Sequence, residues 1–448
     1  MNKTDFFITS VKAIENEEFT VALRTRAKCA LLDYIGVTLA GLKEQIEQIK
    51  SLEESFFDGE GTVYPIGMNS PKSLNNAVFL NGLNGHALDF DDGTNAGIIH
   101  LGSPIFSVLL ALAQKYDFDG ETLLKSAILG YETSFTMAKT IQPVHKQRGY
   151  HATGTCGMLG IAMAVSKALG FNEEETKRAF STAALSATGS LKVLEDSSQL
   201  KPYNVAKAAL LGLVATQMAK AGFLVADDCL SGVTGFLNQM YGSEDVEFVS
   251  PKLNGTLAIE KAYIKPYAAC RYTHPSIDIA KDLREENINF EDIERVNIKT
   301  YSLAVKKHDH TEILGSASAK MSIPYNFAVT FITGKTGMDA FTNDCLENED
   351  VKNLTRKISV EADDSMTALF PEKTIATVEI ITKSGKVYKG ESILPKGEPE
   401  NPLTLEETIE KFTSLCVYGG KTEEHAQKIV NAVFEIETKL PELLELLR

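Results

Sequence analysis

The stretch TCGMLGIAMAVSKALG, residues 155–170, is unusually rich in glycine and alanine. Segments 178–190 and 205–222 share this composition. Alanine is the best helix former, but glycine weakens a helix, so helix propensity alone does not explain the pattern. Small side chains let neighbouring helix axes approach closely. The three segments therefore predict a tightly packed, almost all-α core.

The pattern of apolar residues changes after Ile264. Up to that point it is helical, starting with two helices within residues 4–48. Beyond it, apolar and polar residues alternate as in strands over 294–302, 356–363 and 374–393, with a hairpin signal at Ser384-Gly385. Helical spacing returns at Leu403. The sequence predicts a mainly α fold with two domains: a large all-α domain built from both chain ends (residues 1–264 and 402–448) and a smaller α+β domain (residues 265–401).

The chain of 448 residues carries a net charge of −15, with 60 acidic and 45 basic side chains. Nucleic acids and anionic membranes repel such a protein, so neither is expected as a partner. A protein this acidic must concentrate its cations locally if it binds an anion. Clusters of Lys, Arg and His are therefore the candidates for a binding site.

The six cysteines, at positions 29, 156, 229, 270, 345 and 416, are scattered and form no CxxC pair. This pattern is typical of reduced thiols in a cytosolic protein rather than of disulfides or a zinc site. The first residues lack the apolar segment of a secretory signal. No apolar run approaches the roughly eighteen residues that a membrane span needs. We expect a soluble, cytoplasmic protein.

The stretch NGLNGHALDFDDGTNAGIIHLGSP, residues 81–104, places three carboxylates near a histidine. Asp89, Asp91 and Asp92 follow an apolar helical run, and His100 precedes a new helix start. Calcium and magnesium prefer oxygen ligands, and no EF-hand spacing is present. We therefore expect no metal here, and we interpret Asp89 and His100 as one wall of an anion pocket.

Other loops and helix starts collect cationic and proton-transferring side chains. If they converge, they would bind a small polycarboxylate through charge-assisted hydrogen bonds. The candidates are His145, Lys146, Arg148 and His151 in the loop 143–151, Lys201 in LKPYNVAKAA, Lys265, Cys270, Arg271 and His274 in IKPYAACRYTHP, and Ser322 and Tyr325 in KMSIPYNFA.

Such a pocket also has the parts for removing a proton next to a carboxylate. Cations stabilise the charge that develops on that carboxylate, and histidine, or a tuned Lys, Tyr or Cys, serves as base or acid. Each residue also has a structural explanation. A lysine at a helix start is usually solvated, and His86, inside an apolar helix, is better explained as a buried, hydrogen-bonded residue.

Several other kinds of site lack support in the sequence. The glycine-rich nucleotide-binding motifs GxGxxG and GxxxxGKS/T are absent, as is the GxSxG motif of α/β-hydrolases. His308 and His310 are alternate residues, which point to opposite faces of an extended chain, so they do not favour a metal pair.

Five motifs in order give the chain a family resemblance. HALDFDD at 86–92 with a histidine downstream, GYHATGTCG, KPYNVAKAALLG, KPYAACRYTHP and SIPYNFA resemble the motifs of the MmgE/PrpD family in order and spacing. The resemblance covers essentially the whole chain, and HALDFDD is its most specific part.

The resemblance implies a large α-helical domain built from both chain ends, an inserted α+β lid domain, and homodimers without metal or organic cofactor. It places catalytic residues at Asp89, His100, His151, Lys201, Cys270 and Tyr325. It also suggests substrate-binding residues at Lys265 and Thr94, and we expect Arg271 and His274, from the cation-rich segment after Ile264, to bind substrate as well. The threonine of the usual DFDDT falls at Gly93 or, with a shift of one residue, at Thr94.

The activity implied by the resemblance is a cofactor-independent lyase acting on a small di- or tricarboxylate, first of all a hydro-lyase similar to 2-methylcitrate dehydratase. A carboxy-lyase similar to cis-aconitate decarboxylase, an isomerase similar to iminodisuccinate epimerase, and a non-catalytic binding homologue stay open. Family decarboxylases have histidine where this chain has Cys270, which counts against decarboxylation. Leu101, Ala152, Asn204 and Ala206 also depart from the usual motifs, and these departures bear on the substrate rather than on the fold.

Overall fold

The computed structural model describes residues 1–55, 61–194 and 198–448. These residues form two compact units, one of Met1–Ile264 with Thr404–Arg448 and the other of Lys265–Leu403. The described residues contain 22 α-helices and one four-stranded sheet, which confirms the predicted mainly α fold. None of the helices within these ranges is both long and apolar enough to cross a membrane.

The helices of the first unit come from two segments of the chain. The N-terminal segment contains α1 Lys3–Lys12, α2 Val21–Glu44, α3 Ile46–Ser55, α4 Leu74–Gly85, α5 Gly102–Ala113, α6 Gly120–Ile141, α7 Val144–Gln147, α8 Ala152–Ala168, α9 Glu173–Ser186, α10 Lys201–Lys220, α11 Phe236–Met240 and α12 Ala258–Lys261.

The second unit combines helices with all the described strands. It contains α13 His274–Glu285, β1 Ile293–Thr300, α14 Ser302–Val305, α15 Ser316–Met321, α16 Ile323–Thr333, α17 Asn343–Leu346, α18 Glu349–Thr355, β2 Ile358–Ala362, α19 Asp364–Leu369, β3 Ala376–Thr382 and β4 Val387–Ser392. The first unit is completed by α20 Leu405–Tyr418, α21 Glu423–Phe434 and α22 Ile436–Leu446.

The glycine- and alanine-rich segments become α8, α9 and α10, which pack against one another and against α4 and α6. A Cβ atom on Gly160 of α8 would lie 1.9 Å from Ser134 Oγ and 2.4 Å from the Gly130 carbonyl oxygen on α6. A Cβ on Gly82 of α4 would lie 2.9 Å from the Ala206 Cα of α10. The small residues are therefore needed for close helix contact.

The C-terminal helices return to α2 within the first unit. Lys411 of α20 pairs with Asp33 of α2, with 2.5 Å between Nζ and Oδ1. The same ammonium donates to the Phe90 carbonyl oxygen at 2.9 Å. Because both partners of the ion pair are buried, this contact fixes the segment that carries Asp89, Asp91 and Asp92.

The sheet of the second unit has the strand order β2-β1-β3-β4. β1 and β2 are parallel, with Val296 opposite Ile358, whereas β3 is antiparallel to both β1 and β4. The predicted hairpin at Ser384-Gly385 connects β3 and β4, and Gly385 has a φ of 84°, which an L-residue rarely adopts.

Candidate active site

The first unit brings four side chains of the predicted site to one place. Asp89 follows α4, His100 ends the loop before α5, His151 is the residue before α8, and Lys201 is the first residue of α10. Asp89 is held at a φ of 52°, in the left-handed region that non-glycine residues rarely adopt. Such backbone strain is concentrated at functional sites.

Asp89 joins two of these residues. The Lys201 ammonium lies 2.5 Å from Asp89 Oδ1, and His100 Nε2 lies 3.8 Å from the same oxygen. Asp89 and His100 are nearly buried, with side chains 12% exposed, and the Lys201 side chain is 19% exposed. The arrangement places a cation, a carboxylate and an imidazole within reach of one small anionic ligand.

His86 and Asp91 form a buried pair beside this group. His86 Nδ1 lies 2.9 Å from both carboxylate oxygens of Asp91, and Ser103 Oγ lies 2.9 Å from Asp91 Oδ2. Burial lowers the pKa of His86 to about 4, so the ring is neutral at pH 7 and its Nδ1–H faces the carboxylate. Burial opposes the charge of Asp91, but its histidine neighbours outweigh that effect and hold its pKa well below the usual value.

Asp92 fixes the orientation of the His100 ring. His100 Nδ1 lies 2.8 Å from the Asp92 carbonyl oxygen, which leaves Nε2 directed toward Asp89. The Asp92 carboxylate accepts hydrogen bonds from the Tyr131 hydroxyl at 2.7 Å and from the Gly102 backbone N–H at 2.8 Å. Burial raises the pKa of Asp92 to about 6.

His151 completes a cluster of three imidazoles. Its ring centroid lies 6.1 Å from that of His86 and 6.4 Å from that of His100, and the rings of His86 and His100 are 4.5 Å apart. His151 is 7% exposed, and burial holds its pKa well below the usual value. Two buried ring nitrogens, His86 Nε2 and His151 Nδ1, have no hydrogen-bond partner within the described part of the chain.

Two backbone bridges order the loop between the carboxylates and His100. Thr94 pairs with Ile99, and Gly93 pairs with Tyr263. The Thr94 Oγ1 atom accepts a hydrogen bond from the Gly97 N–H at 3.2 Å, and the residue is 2% exposed. This contact orders the loop, and substrate binding by Thr94 stays a prediction.

The remaining predicted residues, Lys265, Cys270, Arg271, His274 and Tyr325, lie in the second unit. The Arg271 guanidinium contacts Glu398 at 2.6 Å and lies 2.7 Å from His274 Nδ1. The Tyr325 hydroxyl donates to the Ala340 carbonyl oxygen at 2.7 Å, and burial raises its pKa. Lys265 and Cys270 are buried. The substrate-binding and catalytic roles of these residues stay predictions.

Sequence reasoning left His86 and Asp91 outside the site. The interpretation of His86 as buried and hydrogen-bonded was correct, but the ring also lies against His100. The available signal was the spacing of His86 and Asp91, five residues apart at a helix exit. That spacing does not show which carboxylate of the DFDD sequence faces the imidazole.

The chain is similar to known proteins over most of its length. The model of the MmgE/PrpD N-terminal domain matches residues 7–249, and that of the C-terminal domain matches residues 267–436. A cis-aconitate decarboxylase of Mus musculus is 23% identical over 431 residues, covering 91% of this chain and 86% of the relative. One of Homo sapiens is 23% identical over 457 residues, covering 97% and 92%.

Proposed function

Because the chain belongs to the MmgE/PrpD family, we propose that it is a lyase acting on a small polycarboxylate. We propose further that it is a hydro-lyase similar to 2-methylcitrate dehydratase, which removes water from a 2-hydroxy tricarboxylate. The observation that carries this proposal is the largely buried group of Asp89, His100, His151 and Lys201 in the first unit.

Lys201 is proposed to hold a substrate carboxylate. Its ammonium already contacts one carboxylate, Asp89, at 2.5 Å. An incoming carboxylate would share that ammonium through a charge-assisted hydrogen bond, which is stronger than a neutral one. The same cation stabilises the negative charge that develops when a neighbouring carbon loses its proton.

His151 is proposed to remove that proton. Burial keeps the imidazole neutral, so a ring nitrogen has a lone pair that can accept a proton. Because its pKa is lowered, His151 is a weak base in the free protein. An anionic substrate bound beside it favours the protonated ring and so moves the pKa toward the working pH.

His100 is proposed to protonate the leaving hydroxyl group. Asp89 and Asp91 lie 3.8 Å from its Nε2 and 3.4 Å from its Nδ1, so a proton on either nitrogen has a carboxylate partner. The reaction then balances: the C–H bond breaks toward His151 and the C–O bond breaks with the proton of His100. A carbon–carbon double bond forms, and water leaves.

The pairing of His151 as a base with His100 as an acid favours dehydration over decarboxylation, since dehydration requires both. Loss of carbon dioxide generates the carbanion directly and requires one proton donor to the carbon. The second candidate is nevertheless a carboxy-lyase, because both relatives described above are named cis-aconitate decarboxylase. An epimerase would also use a base and an acid but would return the proton to the opposite face.

The family resemblance extends the proposal beyond the first unit. We propose that Lys265 contributes to substrate binding and that Cys270 and Tyr325 contribute to proton transfer. The substrate-binding roles of Arg271 and His274 stay predictions. We also propose a cytoplasmic homodimer whose reaction requires no metal. Light scattering of the purified protein tests the dimer, and activity after dialysis against EDTA tests the independence from metal.

The test of the activity is proton NMR of the full chain in deuterated water with citrate, 2-methylcitrate, cis-aconitate and iminodisuccinate. A hydro-lyase converts a hydroxy acid to its alkene without releasing carbon dioxide. Carbon dioxide release from cis-aconitate with no dehydration would instead establish the carboxy-lyase, and deuterium incorporation without an alkene would establish the epimerase. No reaction or exchange with any acid would favour the non-catalytic binding homologue.

A further inference from the structure

Three imidazoles lie close together in the first unit, two of them buried and that of His100 nearly so. His86, His100 and His151 each offer one ring nitrogen, and these three atoms all lie within 4.8 Å of one another. Histidine is the most common metal ligand in proteins, through a neutral ring nitrogen. The cluster therefore has the composition of a metal site.

The hydrogen bonds at the second ring nitrogens of His86 and His100 also match those of metal-binding histidines. Such histidines usually donate their second ring N–H to a carboxylate or a backbone carbonyl, which fixes the ring and its tautomer. His86 donates from Nδ1 to the Asp91 carboxylate at 2.9 Å, and His100 Nδ1 lies 2.8 Å from the Asp92 carbonyl oxygen. Both rings therefore direct Nε2 away from these anchors.

Two nitrogens of the cluster are buried without a partner. His86 Nε2 and His151 Nδ1 contact no hydrogen-bonding group in the described residues. A buried polar atom without a partner is unfavourable, so its presence calls for a ligand or another explanation.

We propose that His86, His100 and His151 form a binding site for one divalent transition-metal ion of the zinc class. Three nitrogen ligands suit zinc, whereas calcium and magnesium prefer oxygen. A bound ion would occupy the lone pairs that the proposed reaction requires. Zinc should therefore inhibit turnover, and this consequence rests on the proposed function.

Lys201 limits the affinity of the site. Its ammonium lies 2.5 Å from Asp89 Oδ1, and Asp89 is within ligand distance of His86 and His100. The positive charge repels a metal ion and competes with it for the carboxylate. Replacing Lys201 by Met removes this charge, so the variant should bind zinc more tightly than the wild type.

The test is a zinc titration of the EDTA-treated full chain, without substrate, in competition with a chromophoric chelator. We expect one equivalent of zinc to bind. His86→Gln and His151→Gln should each weaken zinc binding by about 100-fold or more, because each removes a ligand. Asp91→Asn should weaken it by about 10–100-fold, because Asp91 orients His86 through a hydrogen bond. His425→Gln is the matched control, because this partly exposed histidine of α21 lies outside the cluster. This variant should bind zinc with the affinity of the wild type.

Cobalt titrated in place of zinc adds a spectroscopic check, since a cobalt site of low coordination number absorbs strongly in the visible region. Weaker zinc binding by the histidine variants could result from misfolding. The tighter binding expected of Lys201→Met could not, so this variant keeps the test decisive. Absence of stoichiometric binding in the wild type would overturn the proposal, and so would equal affinities in wild type, His86→Gln and His151→Gln. Binding without any turnover would count against the proposed function alone.

Discussion

The two units each bury a charged network, and the two networks differ in how completely their polar atoms are bonded. In the second unit, Arg271 and Glu398 are 5% and 4% exposed and pair at 2.6 Å. The guanidinium also lies near His274 Nδ1 and the Lys396 carbonyl oxygen, and Glu398 accepts from the Thr374 hydroxyl at 3.3 Å. These contacts are typical of a structural ion pair.

In the first unit, only some of the polar atoms of the buried network have hydrogen-bond partners among the described residues. Asp91 is held by His86 and Ser103, but His86 Nε2 and His151 Nδ1 have no partner among the residues described. Fully bonded buried networks rigidify a fold, whereas unbonded buried polar atoms call for a functional explanation. The comparison therefore assigns stability to the Arg271 network and chemistry to the histidine cluster.

The largest effect is expected at Lys201, the cation that pairs with Asp89 in the first unit. Lys201→Met should lower kcat/KM by roughly 30-fold or more, since truncating one partner of a buried charged pair costs about 2–5 kcal/mol. Steady-state kinetics with the substrate found by NMR measures this loss. Lys207→Met on the same helix is the control, and equal losses in both variants would contradict a specific role for Lys201.

The second-unit network should show the opposite behaviour, a loss of stability. Glu398→Gln leaves the buried Arg271 charge without its carboxylate, so the free energy of unfolding should fall by about 3–5 kcal/mol. Urea denaturation measures this change. The double variant Arg271→Met/Glu398→Leu should recover most of the loss, because an apolar pair can replace a buried ion pair at little cost.

If Glu398→Gln were as stable as the wild type while its activity vanished, the comparison would be wrong and Arg271 would belong to the chemistry. The predicted role of Arg271 in substrate binding would then be favoured. Loss of stability with kcat and KM unchanged in the folded fraction would favour the structural role.

A smaller effect is expected where close helix packing supports the histidine cluster. Gly160→Ala on α8 should destabilise the protein by about 1–3 kcal/mol, since the added carbon would overlap Ser134 and the Gly130 carbonyl on α6. Gly157→Ala on the same helix is the matched control, because its Cβ would meet only Pro104 at 3.8 Å. Thermal denaturation of both variants measures the difference, and equal melting temperatures would contradict the packing argument.

The smallest effect concerns Glu132, a buried carboxylate of α6 that belongs to neither network. It accepts hydrogen bonds from the Lys252 and Ala258 backbone N–H groups at 2.7 Å each, and burial raises its pKa. A raised carboxyl pKa means that the folded state binds the proton more tightly than the unfolded state. Its contribution to stability is thus complete below the unfolded pKa and is lost as the pH rises through the folded pKa.

The stability of the wild type relative to Glu132→Gln should therefore decrease as the pH rises from about 4 toward neutrality. Urea denaturation of both proteins over that range measures the difference, which cancels the titration of all other groups. A difference that stays constant or increases with pH would show that the two backbone hydrogen bonds outweigh burial.

Local patterns in the sequence predicted much of the fold. The Gly- and Ala-rich segments indicated closely packed helices, and Ser384-Gly385 indicated the β3–β4 hairpin. These features depend on neighbours in the chain or on side-chain size. Helix α3, Ile46–Ser55, begins near the end of the segment 4–48, in which only two helices were expected, and it was not predicted as a separate element.

The site was predictable in its residue types but not in its contacts. The Asp89–Lys201 pair joins residues 112 positions apart, and the Arg271–Glu398 pair joins residues 127 positions apart. No local pattern encodes such pairings. The backbone of Asp89 and the unbonded nitrogens of His86 and His151 depend on how four helix ends meet, so only the structure shows them.

The most direct test of the account is the rate at which a tricarboxylate substrate exchanges its carbon-bound proton with deuterated water, followed by NMR. The wild type should exchange it, and His151→Gln should be slower by roughly 10²–10⁴-fold while keeping its melting temperature. His425→Gln should exchange at the wild-type rate. Equal exchange by His151→Gln and the wild type would contradict the claim that His151 accepts the proton from the substrate.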